Sequence, residues 1–203
     1  MLVFACSATY LLVVPIRTRT IVTMGVSGLM LVSLAWFFFL HDYQKERIFT
    51  FLDPERDTLG TAYHAIQSQI AVGSGGLLGK GWLRGSQTQL DFLPEQQTDF
   101  VFSVLGEEWG LIGAATILAI YVALMIRGLM IARASKDLFG AYLAVGITGM
   151  FFWAGTINVG MVIGVVPVVG VPLPLFSYGG SSLLTCMLGI GLLMNVSMRR
   201  YLF

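Results

Sequence analysis

From Leu138 to Met198 the chain carries no Asp, Glu, Lys, Arg or His. A water-facing surface cannot be built over such a stretch, since soluble domains carry roughly 25% charged residues. The whole chain has only 11% charged against 56% hydrophobic residues in 203 positions, so lipid is the solvent for most of it. A spanning helix takes about 20 apolar residues, and the charge-free run is too long for one. Pro167, Pro172, Pro174 and the pair Gly179-Gly180 interrupt it; proline removes a backbone donor and clashes with the preceding turn. The run therefore reads as two spans, 139–163 and 181–198, joined by PVVGVPLPLFSYGG. Residues 20–40 form another apolar stretch, and 109–126 a further one that extends outward to about Phe100, giving a span over 100–126. The apolar start, 1–14, is too short to cross and is followed by Pro15. It has no basic leader and no small-residue cleavage site, so it reads as the second half of a severed helix. The expected fold class is all-α: one polytopic membrane helix bundle over 1–203, with a large loop at 41–99.

Orientation follows from charge. Arg17, Arg19, Arg127, Arg133, Lys136, Arg199 and Arg200 fall on one side when the spans alternate, opposed only by Asp137. Short loops rich in Arg and Lys stay in the cytoplasm. The acidic 41–99 loop is therefore expected outside and the C-terminus inside, as in a multi-pass protein of a cytoplasmic membrane. A net charge of +1 leaves no footprint for nucleic acid. Cys6 and Cys186 lie in apolar stretches, with no disulfide framework or metal-ligand spacing.

The loop is where chemistry has room. Tyr63, Ile66 and Ile70 recur at helical spacing, as do Tyr43, Ile48, Phe51 and Leu52, with Lys45, Glu46 and Arg47 turned to water. Both patterns suit short helices lying on the membrane surface. GSGGLLGKGWLRGS, 73–86, reads either as a flexible turn or as a weak anion cradle. It fails the phosphate-loop pattern, because Ser74 and Gly81 stand where Gly and Ser or Thr belong. Exposed backbone N–H groups with Lys80 and Arg84 remain candidates for neutralising a phosphate. Asp99 stands just before a span, where an acid caps orphan N–H groups and complements the helix dipole; catalysis is the other reading. Glu107 and Glu108 lie inside the following helix, where uncompensated charge is costly, so they are expected to face protein or the interface. His41 and His64 have no partner at metal or triad spacing.

Asn158, Gly164, Pro167, Gly170 and PLPLFSYGGSS from Pro172 to Ser182 resemble the signature of the SEDS family (shape, elongation, division and sporulation). LPEQQTDF resembles that family's outer catalytic loop. HDYQKERI, Asp53-Pro54-Glu55-Arg56, AYHAIQSQIA and GKGWLRGSQTQLDFLPE resemble its rod-shape (RodA) branch rather than its division branch. The resemblance covers nearly the whole chain and implies the C-terminal half of a larger multi-span fold, hence a fragment. It implies a peptidoglycan glycosyltransferase that polymerises lipid II, an undecaprenyl-pyrophosphate-linked disaccharide-pentapeptide, into a growing glycan strand during elongation. It also implies a class B penicillin-binding protein as transpeptidase partner. Asp99 matches the family's essential Asp and is expected to be the general base. Lys80 and Arg84 are candidates for the pyrophosphate, and Glu95 for orienting the acceptor or helping to hold a divalent cation. Family loops often have a His before Thr-Asp-Phe; Gln97 stands here and cannot shuttle a proton. Two other classes compete: a lipid II carrier, and a membrane scaffold for the penicillin-binding protein. A carrier concentrates ionisable groups near the bilayer midplane, whereas these spans are almost free of charge. Small residues such as Gly140, Ala144, Gly146, Gly149 and Gly155 suit a scaffold contact and internal packing equally.

Overall fold

The computed structural model describes residues 41–53, 61–89 and 98–202, with scattered positions between 23 and 38 that are helical. The partial span expected at 1–14 lies outside the described residues. Among those described the structure is helical with no strand, in keeping with the all-α expectation. Two surface helices come first, α1 (Asp42–Leu52) and α2 (Thr61–Ser74), then the single turn α3 (Ser86–Gln89). The long helices α4 (Val101–Ala134), α5 (Leu138–Val162) and α6 (Gly180–Leu202) follow. Each of these three has a stretch long and apolar enough to cross a membrane, which makes this a membrane protein.

Local chemistry sets the helix ends. Asp137 caps α5, its carboxylate accepting from the Gly140 N–H at 2.8 Å. Helix α5 ends where Gly164 takes φ +75° and Val165 N–H returns to the Gly160 carbonyl at 2.8 Å, a common helix stop. Helix α4 packs chiefly on α5, and α6 lies against both. Phe151, Cys186, Leu193 and Val196 fill one end of this bundle. Phe102, Ile117, Tyr121 and Leu173 fill the other, beneath the loop. Leu118, Val122, Ile126, Leu188 and Met194 face outward, where lipid keeps them out of water.

Helix α2 docks on α4 with a face different from its apolar repeat. Ser68 and Ala71 are fully buried, while Ile66 and Ile70 stay exposed. Small side chains allow the close approach, and Ser68 Oγ donates to the Val162 carbonyl at 3.0 Å and shares a 2.7 Å bond with Ser103 Oγ. In α1, Arg47 does not simply face water: its guanidinium donates to the Val168 carbonyl at 3.0 Å. That bond fastens the surface helix to the proline-rich segment, and its partner lies 121 positions away, beyond reach of local pattern.

Candidate functional site

The loop, the start of α4 and the proline-rich segment meet at one end of the bundle. Asp99 stands in a turn one residue outside the cap of α4: the cap position falls on Phe100, whose side chain makes no cap hydrogen bond. Asn158, fully buried in α5, donates through Nδ2 to the Asp99 main-chain carbonyl and to the Val171 carbonyl, each at 2.8 Å. A Cβ added at Gly170 would stand 3.2 Å from Asp99 Oδ2, so the carboxylate lies over the bare backbone of the proline-rich segment. That segment is itself braced. Leu173 N–H donates to Ser177 Oγ at 2.7 Å, and the Tyr121 hydroxyl donates to the Pro174 carbonyl.

The glycine loop also holds the start of α4. Helix α4 breaks at Gly110, which takes φ 64° and ψ −162°. The break leaves carbonyls and N–H groups without helical partners, and the loop supplies them. Lys80 and Gly81 N–H donate to the Glu107 and Glu108 carbonyls, both at 3.0 Å. In return Leu111 N–H donates to the Gly76 carbonyl at 2.9 Å and Ile112 N–H to that of Leu77 at 3.2 Å. The approach leaves no room for a side chain: a Cβ at Gly79 would come within 2.1 Å of the Glu108 carbonyl oxygen. Those two loop N–H groups are thus engaged with protein.

Lys80 is engaged too. Its Nζ stands 2.7 Å from Glu107 Oε1 and 2.8 Å from Ser86 Oγ. Glu107 is fully buried and also accepts from Gln87 N–H at 3.1 Å, and Glu108 accepts from Leu83 N–H at 3.1 Å. Both acids face protein, as expected of charge inside a helix next to lipid. Arg84 is exposed on the same loop. Glu95 lies outside the described residues. Among the described residues no three His, Cys, Asp or Glu side chains gather to hold a metal ion.

Two apolar clefts border the start of α4. One, of about 400 Å³, runs between α4 and α5 past Phe102, Tyr121, Val159 and Leu173. The other, of about 710 Å³, is bounded by Trp82, Glu108, Trp109, Ile112 and Phe176. Asn158 is the functional candidate that residue chemistry alone did not single out. It belonged to the signature, and an Asn inside an otherwise apolar span was the signal available.

The FTSW_RODA_SPOVE family, described as cell cycle protein, matches residues 1–202. "Peptidoglycan glycosyltransferase MrdB" of Escherichia coli (strain K12) is 53% identical over 169 residues, covering 83% of this chain and 46% of that protein. "Peptidoglycan glycosyltransferase RodA" of Treponema pallidum (strain Nichols) is 47% identical over 161 residues, covering 79% of this chain and 37% of that protein. The chain thus spans about half the length, or less, of these curated relatives. Among solved structures, a chain of a peptidoglycan synthase complex that coordinates polymerization and crosslinking superposes with TM-score 0.79 at 32% identity. That match covers 100% of this chain and 55% of the other. The crystal structure of Thermus thermophilus rod shape determining protein RodA matches with TM-score 0.51 at 40% identity, over 64% of this chain and 38% of that one.

Proposed function

Because the chain belongs to the FTSW_RODA_SPOVE family of cell cycle proteins, we propose that it carries the reacting site of a peptidoglycan glycosyltransferase. The substrate is lipid II, and the product is a glycan strand lengthened by one disaccharide. The observation that carries this reading is the placing of Asp99 where the α4 start and the proline-rich segment meet, with an apolar cleft, suited to an isoprenoid chain, running from Phe102 and Leu173 between α4 and α5. A lipid-linked sugar needs that combination: a polar reacting end at the membrane surface and an apolar path for its tail.

The acceptor sugar hydroxyl is a poor nucleophile. Asp99 takes its proton as the oxygen attacks the anomeric carbon of the donor. The new C–O bond forms as the bond from that carbon to pyrophosphate breaks, and undecaprenyl pyrophosphate leaves with the electron pair. Arg84, exposed on the loop, meets the charge that develops on the leaving group. Lys80 contributes to the same field while holding Glu107, and Glu95 orients the acceptor. The reaction side is extracytoplasmic and the C-terminus cytoplasmic, in a bacterial inner membrane, as the seven basic residues on the opposite side suggest. The partner is a class B penicillin-binding protein that crosslinks the strand.

The carrier alternative is separable by experiment. The full-length protein with its partner, reconstituted in liposomes with lipid II, should yield glycan strands longer than one disaccharide. Movement of lipid II between leaflets without any strand formation would instead make the protein a carrier.

A further inference from the structure

Asp99 lies outside the helix that follows it, so helix geometry does not fix its carboxylate. One grip on its main chain comes from Asn158, near the end of α5. Both of its bonds use Nδ2, to the Asp99 carbonyl and the Val171 carbonyl at 2.8 Å each. Its Oδ1 is buried and takes no hydrogen-bond partner among the described residues. A buried acceptor left unpaired is costly, so an amide held in that state is held for its two donors. Those donors tie the start of α4 and the proline-rich segment to α5 at one point. From the other side, Gly170 at φ +71° presents only backbone to the carboxylate, and a Cβ there would meet Asp99 Oδ2 at 3.2 Å. The main chain of Asp99 is therefore held while its carboxylate rests against the bare Gly170 backbone, where an added Cβ would crowd it.

The geometry points to Asn158 and Gly170 as positioning residues that aim the Asp99 carboxylate at the acceptor hydroxyl. This rests on reading Asp99 as the general base. A base acts only within hydrogen-bond reach of its proton, and a misplacement of about 1 Å costs about 10²-fold. Neither residue touches substrate in this arrangement; each acts through Asp99. Loss of either should therefore lower turnover and leave binding of the lipid-linked sugar alone.

The test uses the full-length enzyme with its partner and lipid II, reading kcat, KM and Tm for Asn158→Leu, Gly170→Ala, Gly164→Ala and Asp99→Asn. Asn158→Leu keeps the shape without the donors, and Gly170→Ala adds the one atom that meets the carboxylate. Both should lower kcat by about 10–100-fold while KM stays within about twofold. Gly164→Ala is the control. Its φ is also positive, at +75°, but its Cβ meets the Gln69 side chain rather than Asp99, so Tm should fall with kcat near wild type. If Asn158→Leu does not fold, Gly170→Ala decides. Wild-type kcat in Gly170→Ala, or an equal kcat loss in Gly164→Ala, overturns the positioning role. If Asp99→Asn retains activity, the base reading itself is wrong. If Asp99→Asn is inactive while the folded Asn158 and Gly170 variants turn over normally, only the positioning role fails.

Discussion

Glu107 is fully buried in a helix bordered by lipid-facing residues, and burying an isolated carboxylate there would be costly. Lys80 Nζ at 2.7 Å, the Gln87 N–H at 3.1 Å and Ser86 Oγ at 3.3 Å hold its Oε1. Lys80 is 28% exposed, so water screens the pair only in part. Lys80→Met should destabilise the full-length protein by about 1–3 kcal/mol, the cost of leaving a buried acceptor short of its partner. In a Glu107→Gln background the same change should cost less, because the two residues act on one interaction. Thermal unfolding of the wild type and the three variants in detergent checks this, and equal costs in both backgrounds would contradict the coupling. The pairing also shows where residue-level reading stops. The sequence presents Lys80 as a loose cation in a glycine-rich turn, and its partner lies 27 positions on, inside a span. Asp99 was legible as a residue of interest from its position before a span, but its grip was not: Asn158 is 59 positions away.

At the scale of elements, apolar runs and prolines marked α5 and α6 well, because lipid leaves a helix few alternatives once its backbone must satisfy itself. The break in α4 was not legible. WGLIGAATILAIYVALMI reads as continuous helix, and Gly110 shows its role only through the loop that fills the gap. Between them the glycine loop and the broken helix exchange four backbone bonds, so the loop clamps the break rather than forming the flexible turn its composition suggests. Gly110→Ala tests the clamp. Its φ 64° and ψ −162° belong to a region open essentially to glycine alone, where another residue costs about 1–3 kcal/mol. The added Cβ would also come within 2.3 Å of the Gly79 nitrogen. The variant should lose hydrogen-exchange protection at Lys80, Gly81, Leu111 and Ile112 together, with the C-terminal end of α4 unchanged. Protection retained at all four amides would mean that the clamp does not depend on the break.

At the scale of the molecule, among the described residues, Asp99, Glu107 and Glu108 stand at the end of the bundle where the loop docks, and the long helices are otherwise nearly free of acids. The three long helices supply a scaffold, and the proline-rich segment folds back over it to meet the turn bearing Asp99. Class and site region follow from composition and from the family signature. The convergence of α1, α2, α4 and α5 on that region comes from contacts such as Arg47 with Val168 and Ser68 with Val162, which no local pattern encodes. Asp99 is proposed as the base for sugar transfer rather than a structural acid. Asn is nearly as good as Asp at satisfying orphan helix N–H groups, so Asp99→Asn spares a structural role and removes the proton acceptor. The decisive measurement is glycan formation from lipid II by full-length Asp99→Asn with its partner, at matched expression and thermal stability. A general base at Asp99 predicts a folded variant slowed by about 10²–10⁴-fold; near-normal strand synthesis would contradict that role.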